Sequence, residues 1–231
     1  MWEQLAQVMT ELAQDAQVRV VVVTGAGDKA FCAGADISEF SELRTEPSKA
    51  RAYDATTHRA CSALRHFPKP TIGRIRGSCI GGGMELALLC DIRLAALDSR
   101  FGVTPAKLGL GYSLEDTQLL VDRLGAPATR EILFTGRIFA PEEALRLGIV
   151  NRVVAVDELD ALVSQYTQDI ANNAPLTLKA SKAIVEQASK PRNEQDTKLC
   201  ATLVAKCYAS EDFAEGQAAF AQKRKPSFRG V

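Results

Sequence analysis

Between residues 2 and 12 apolar side chains return every three or four positions. Trp2, Leu5, Val8, Met9 and Leu12 share one face, with Glu, Gln and Thr between them, and this spacing predicts a helix. The pattern changes at VRVVVVTG (18–25), a continuous β-branched run closed by glycine, which reads as a fully buried parallel strand. A polar stretch with helical periodicity covers 46–66, and PTIGRIRG (70–77) is the next strand candidate. GGGMELALLCD then feeds a glycine cluster into a helix, DIRLAA reads as a strand, and FGVTPAKLGLGYS as a glycine-bearing loop. DTQLLVDRLG and PEEALRLG are helical, and GIVNRVVA is strand-like. From Asp157 onward every segment is helical: ELDALVSQYTQDIANN, PLTLKASKAIVEQAS, TKLCATLVAKCYAS and FAEGQAAFAQK. Strands alternating with helices predict an α/β core over 1–156 with βαβ-type crossovers, followed by an all-helical region over 157–231. No repeat of fixed period and no low-complexity segment interrupts it.

Composition narrows the class of partner. The 231 residues are 46% hydrophobic, enough for a core of ordinary size. Lys+Arg and Asp+Glu are equal at 28 each, and basic residues cluster only at KRK (223–225), which argues against a nucleic-acid or membrane surface as the main partner. No apolar run approaches the roughly 20 residues of a membrane span, and the start has neither a basic nor an apolar leader region. The six cysteines are scattered, with no C-x-x-C pair and only His58 and His66 to assist them. That pattern predicts neither a metal site nor a disulfide framework, but reduced thiols in a cytoplasmic setting.

The chemistry-bearing features are glycine clusters. GAGDKA (25–30) satisfies G-x-G-x-x-A after a strand, but no helix opens inside it and no acidic residue closes a second strand downstream, so the nicotinamide reading fails on context. CAGAD (32–36) and GGG (81–83) each follow a strand candidate and can expose backbone N–H groups. Two such donors aimed at one point form an oxyanion hole, where losing one donor costs about 3 to 4 kcal/mol of transition-state stabilisation. Glycine suits this role because a Cβ would hold a carbonyl away from the main chain. The helix that starts at the second cluster adds its positive end.

FCAGADISEF, KPTIGRIRGSCIGGGMELALLCDIRLAA, FGVTPAKLGLG, ILFTGRIFAPEEALRLGIVNRVV and FAEGQAAFAQKRKPSF together resemble the crotonase superfamily, the enoyl-CoA hydratase/isomerase family. The likeness covers nearly the whole chain in the family's order. It implies a crotonase-like spiral of ββα-type turns with a C-terminal helical region that builds trimers, often paired into hexamers. It implies an acyl-CoA substrate and no cofactor beyond the CoA moiety. The thioester oxygen is then expected on the N–H groups of Ala35 and Gly82, with Glu85 one helical turn further on as acid or base. Ala33, Asp36, Ile37, Phe220 and Lys223 are expected to contact CoA.

The chain departs from the hydratase pattern in several places. Pro105 stands where hydratases carry a second glutamate, and Ser113 where some isomerases carry an aspartate. Tyr112 resembles a tyrosine of the methylmalonyl-CoA decarboxylase branch, where it orients a leaving carboxylate, while Glu115 and Asp116 read as helix caps. The strand pair and N-R-P-type loop that open relatives are not found ahead of the first helix, so a sheet edge is expected to be uncovered. Arg74 replaces a small apolar residue. Three readings follow: a hydratase/isomerase using Glu85, an acyl-CoA decarboxylase using Tyr112, or a non-catalytic acyl-CoA binder. Cys32 and Cys79, close to the expected donors, read as packing residues.

Overall fold

The computed structural model of the chain describes residues 1–36 and 46–231. Its strands are β1 (Val21–Thr24), β2 (Ala30–Cys32), β3 (Thr71–Ile75), β4 (Ser78–Ile80), β5 (Ile92–Ala96), β6 (Arg100–Gly102) and β7 (Arg152–Val154). The helices are α1 (Trp2–Gln14), α2 (Pro47–Arg65), α3 (Gly82–Leu89), α4 (Leu114–Thr135), α5 (Pro141–Arg146), α6 (Leu159–Ala171), α7 (Pro175–Ala188), α8 (Thr197–Tyr208) and α9 (Glu211–Ala221).

Odd-numbered strands form one sheet, in the order β1-β3-β5-β7, and even-numbered strands form another, β2-β4-β6. Pairing is parallel for β2 with β4, β4 with β6, β3 with β5 and β5 with β7. The chain therefore lays one strand in each sheet and returns through helical structure before repeating the move. This is the crotonase-like ββα spiral that the resemblance implies.

The second sheet was not legible in the pattern. Its strands are three residues each, too short to show alternation, and they sit in stretches the glycines mark as turns. β2 accordingly corrects the expectation that no strand lies between VVVVTG and residue 71. A second correction concerns β1, which is not fully buried: it is an edge strand of its sheet, and Val22 is 36% exposed. A third is the DTQLLVDRLG helix, which continues to Thr135 through a kink at Gly125 (φ 78°, ψ 159°).

Two compact units emerge. The first comprises Met1–Leu12, Val22–His66 and Thr71–Val163. Its core contains Ile72, Ile75, Leu94, Phe101, Phe139 and Ile149, and the apolar α3 is buried almost all round, against β2, β4, α2 and α4. Arg93 is buried there too, with its guanidinium donating to the carbonyls of Ile149 (2.6 Å) and Cys90 (2.8 Å). Arg74, unexplained by sequence, donates to Asp160 at 2.6 Å, and that bond holds the Asp160 carboxyl below its ordinary range.

The second unit comprises Ala13–Val21, Phe67–Pro70 and Ser164–Val231. Within it, the Lys182 ammonium lies 6.0 Å from the Phe67 ring centroid and donates to the Lys69 carbonyl at 3.0 Å. Buried Asp212 accepts from the backbone N–H groups of Arg229 (2.7 Å) and Gly230 (2.8 Å), which ties the chain end to α9. Among the described residues no helix is long and apolar enough to cross a membrane.

Candidate active site

Parallel pairing of β2 with β4 places the segments that leave their C-terminal ends side by side, as adjacent parallel strands must. CAGAD leaves β2 and GGG leaves β4. Gly34 (φ 108°) and Gly81 (φ 54°) both take conformations that favour glycine. The Gly34 Cα lies 3.9 Å from where a Cβ on Gly81 would be, so the two turns meet backbone to backbone. Gly82 opens α3 and has no acceptor within the helix for its N–H.

The remaining glycines near these turns have packing roles. A Cβ on Gly83 would fall 2.0 Å from the Cys32 carbonyl oxygen, and one on Gly25 would fall 1.9 Å from that of Ala30. The G-x-G-x-x-A glycine thus lets the turn after β1 press against β2. Cys79, expected to pack, is fully buried and donates to the Gly83 carbonyl at 3.4 Å.

A cavity of about 510 Å³ opens over the two turns. Ala33, Ala35 and Gly82 line it beside Glu85 from α3, Tyr112 from the loop before α4, and Thr57 and Cys61 from α2. Pro105 also lines it, as the buried first residue of a short 3₁₀ turn (Pro105–Leu108). Sequence elements more than 70 residues apart converge here because β2, β4 and α3 belong to successive turns of one spiral.

Tyr112 donates its hydroxyl hydrogen bond to Glu85 Oε1. Burial pushes the Glu85 carboxyl up to about 7; the Tyr112 bond opposes that shift, and Asp116 adds to it. The Tyr112 phenol is itself raised, by burial first and then by the Glu85 charge. Cys61 is raised to about 12, by burial and by the nearby carboxylates of Glu85, Asp116 and Glu115, so it stays a thiol at neutral pH.

Toward solvent the wall is polar. His58 Nε2 lies 2.7 Å from Glu115 Oε1, and Ser113 caps α4 by accepting from the Asp116 N–H at 3.0 Å. Asp116 is therefore the cap partner that the sequence suggested, while Glu115 is held instead by His58 across the cavity mouth. Trp2 was read as part of an amphipathic face, but its indole stands in the cavity wall, 3.7 Å from where a Gly82 Cβ would be. No pattern along α1 distinguishes a core face from a cavity wall; both are apolar.

The other predicted contacts are placed as follows. Asp36 is exposed at the end of the CAGAD turn, and Ile37 lies outside the described residues. Phe220 (87% exposed) and Lys223 belong to the second unit, where Lys223, at φ 53°, ends α9 in a left-handed turn. Among the described residues no group of three His, Cys, Asp or Glu side chains is placed to hold a metal.

Two parallel sheets wound as one spiral, with a cavity over paired glycine turns, define an α/β protein of the crotonase type. The enoyl-CoA hydratase/isomerase family model matches residues 1–231, and the chain belongs to that family. It is similar to the short-chain-enoyl-CoA hydratase of Clostridium acetobutylicum, 33% identical over 96% of this chain and 85% of the relative. It is also similar to the carnitinyl-CoA dehydratase of Proteus mirabilis, 35% identical over 98% of this chain and 87% of the relative. Among solved structures, an enoyl-CoA hydratase/carnithine racemase from Magnetospirillum magneticum matches with a TM-score of 0.93. It is 38% identical, covering 100% of this chain and 86% of that one.

Proposed function

We propose that the chain catalyses reversible addition of water to a 2-enoyl-CoA thioester, with Glu85 as the single carboxylate that moves the proton. The observation that carries this is the Tyr112–Glu85 hydrogen bond in the cavity over both glycine turns, with the Glu85 carboxyl near neutrality at about 7. The N–H groups of Ala35 and Gly82 hold the thioester oxygen, where negative charge collects as the enolate forms. The Glu85 carboxylate takes a proton from water while the hydroxide bonds to Cβ. Protonated Glu85 then delivers that proton to Cα, and the carboxylate is restored. One carboxyl group suffices for both transfers, so the cycle runs with Pro105 in place of a second acid. A group that ionises near the working pH serves both directions.

The decarboxylase reading requires the Tyr112 hydroxyl to hold a leaving carboxylate. Its engagement with Glu85 favours proton transfer instead. The names of the relatives support CoA thioesters as substrates and short or polar acyl groups. We further infer that Ala33 and Asp36, with Ile37, meet the pantetheine and nucleotide end of CoA. Phe220 and Lys223 meet its adenine and phosphates, donated from one subunit to another in a homotrimer or a pair of trimers.

The test is mass spectrometry of thioesters after separate incubation with crotonyl-CoA and methylmalonyl-CoA. Formation of 3-hydroxybutyryl-CoA, lowered about 10²- to 10⁴-fold in Glu85→Gln, is the expected result. Propionyl-CoA from the second substrate without hydration of the first would replace this reading with decarboxylation. Tight acyl-CoA binding with no product from either would make the chain a binder.

A further inference from the structure

The cavity over the glycine turns is lined unevenly in charge. Among the described residues that line it, Asp54, Glu85, Glu115 and Asp116 bring carboxyl groups, and none is Lys or Arg. The chain as a whole has 28 basic and 28 acidic residues, so this imbalance is local. Asp54 and His58 lie one helical turn apart on α2, and Glu115 and Asp116 occupy the first turn of α4. His58 Nε2, 2.7 Å from Glu115 Oε1, ties the two helices together, while the Ser113 hydroxyl donates to Asp116 Oδ2 at 2.6 Å and fixes that carboxylate. The sign of the charge also reaches the interior. Burial is the first reason that Glu85, Tyr112 and Cys61 are shifted up, but Asp116 raises all three, and Glu115 raises Cys61 as well.

We propose that Asp54, Glu115 and Asp116 act as a charge filter on the acyl group: they admit uncharged acyl chains to the cavity and refuse those that end in a free carboxylate. The proposal rests on the acyl-CoA reading of the site and names the substrate class within it. A carboxylate brought into the cavity gives up its hydration and meets further carboxylates, and the described lining offers it no Lys or Arg in exchange. An uncharged tail meets no such penalty, and Val103, Pro105, Leu108 and Leu110 give it apolar surface in the same cavity. That cavity, with Glu85 and both glycine turns in it, is what gives these charges a substrate to act on. The filter leaves the proton transfers to Glu85.

The experiment is calorimetric titration with three probes: CoA alone, pentanoyl-CoA and glutaryl-CoA. The two acyl groups are equal in carbon number and differ in a terminal methyl against a terminal carboxylate. The wild-type protein should prefer pentanoyl-CoA, and Glu115→Gln combined with Asp116→Asn should narrow that preference about tenfold, equivalent to about 1.4 kcal/mol. Both replacements keep an accepting oxygen for His58 and Ser113, so the local bonds survive the loss of charge. Asp54→Asn, on the other helix, should narrow the preference in the same direction, which guards against a defect at the start of α4. Binding of CoA alone should be unchanged throughout. An unaltered preference in both variants, or a wild-type protein that binds glutaryl-CoA as tightly as pentanoyl-CoA, overturns the filter while leaving the acyl-CoA reading intact. An equal gain for CoA alone overturns it as well, since the carboxylates would then face the CoA phosphates. A wild-type protein that binds none of the three probes overturns the acyl-CoA reading, and the filter with it.

Discussion

Glu85, to which the proposed mechanism gives both proton transfers, is partly buried in the cavity with its carboxyl shifted up. A carboxyl raised from 4.5 to about 7 binds its proton more tightly folded than unfolded. The stability linked to it is thus fully present below pH 4.5 and is lost as the pH rises through about 7. The size of that loss is on the order of 3 kcal/mol. Urea unfolding at pH 5 and pH 8 should show this drop in wild type and not in Glu85→Gln, whose amide still accepts from Tyr112. An equal drop in the variant would place the titrating group elsewhere. The proposed hydration needs the carboxylate form of Glu85, so the rate should climb through an acid limb near pH 7. Tyr112→Phe removes the bond that holds Glu85 down, and its limb should move alkaline by about one pH unit, as expected for one hydrogen bond to a charged group. A limb that stays in place would show that the phenol does not govern Glu85. GGGMEL singled out Glu85 as a candidate; its hydrogen-bond partner was not legible. Tyr112 is 27 residues away, and its reach to Glu85 exists only once α3 and the loop before α4 are packed.

At the scale of elements, three consecutive glycines that look equivalent divide into different roles. Gly83 faces β2, and a methyl there would sit 2.0 Å from the Cys32 carbonyl, an overlap only backbone movement can relieve. Gly83→Ala should cost at least about 3 kcal/mol in chemical denaturation. Gly82 faces the cavity, where a methyl would meet only Trp2 at 3.7 Å and Glu85 at 3.9 Å. Gly82→Ala should therefore melt within a few degrees of wild type but lose about 100-fold or more in kcat/KM, because the methyl would occupy the proposed approach of the thioester oxygen. Equal destabilisation of both variants would remove the distinction. The existence of a glycine-led helix at GGG was readable from the sequence. The resemblance also singled out Gly82 as the one at the site, but that Gly83 packs against β2 was not readable, since that depends on the register of β4 against β2.

Over the whole molecule, the helices of the second unit display large apolar side chains: Val185 (64% exposed), Tyr208 (65%) and Phe220 (87%). The proposed homotrimer would cover some of these side chains. Sedimentation velocity should give a species of three times the 24.9 kDa of one chain, or twice that for paired trimers. Sedimentation as a single chain at micromolar concentration would overturn the trimer, and with it the donation of Phe220 and Lys223 between subunits.

The sequence by itself determined the α/β class, the long helices, the strands β3, β5 and β7 of the first sheet and the spiral family. Those features rest on runs long enough for period and propensity to speak, or on motifs that extend along most of the chain. The resemblance also marked Ala35, Gly82 and Glu85 as candidates through the CAGAD and GGGMEL motifs, and all three line one cavity. The tertiary structure alone decided the second sheet, whose three-residue strands are held by their neighbours rather than by their own preference. It alone placed Trp2 of the apolar α1 face in a cavity wall and paired Arg74 with Asp160. The physical reason is common to all of these: contact between distant segments depends on strand register and helix packing, and neither is written in any one window of the chain.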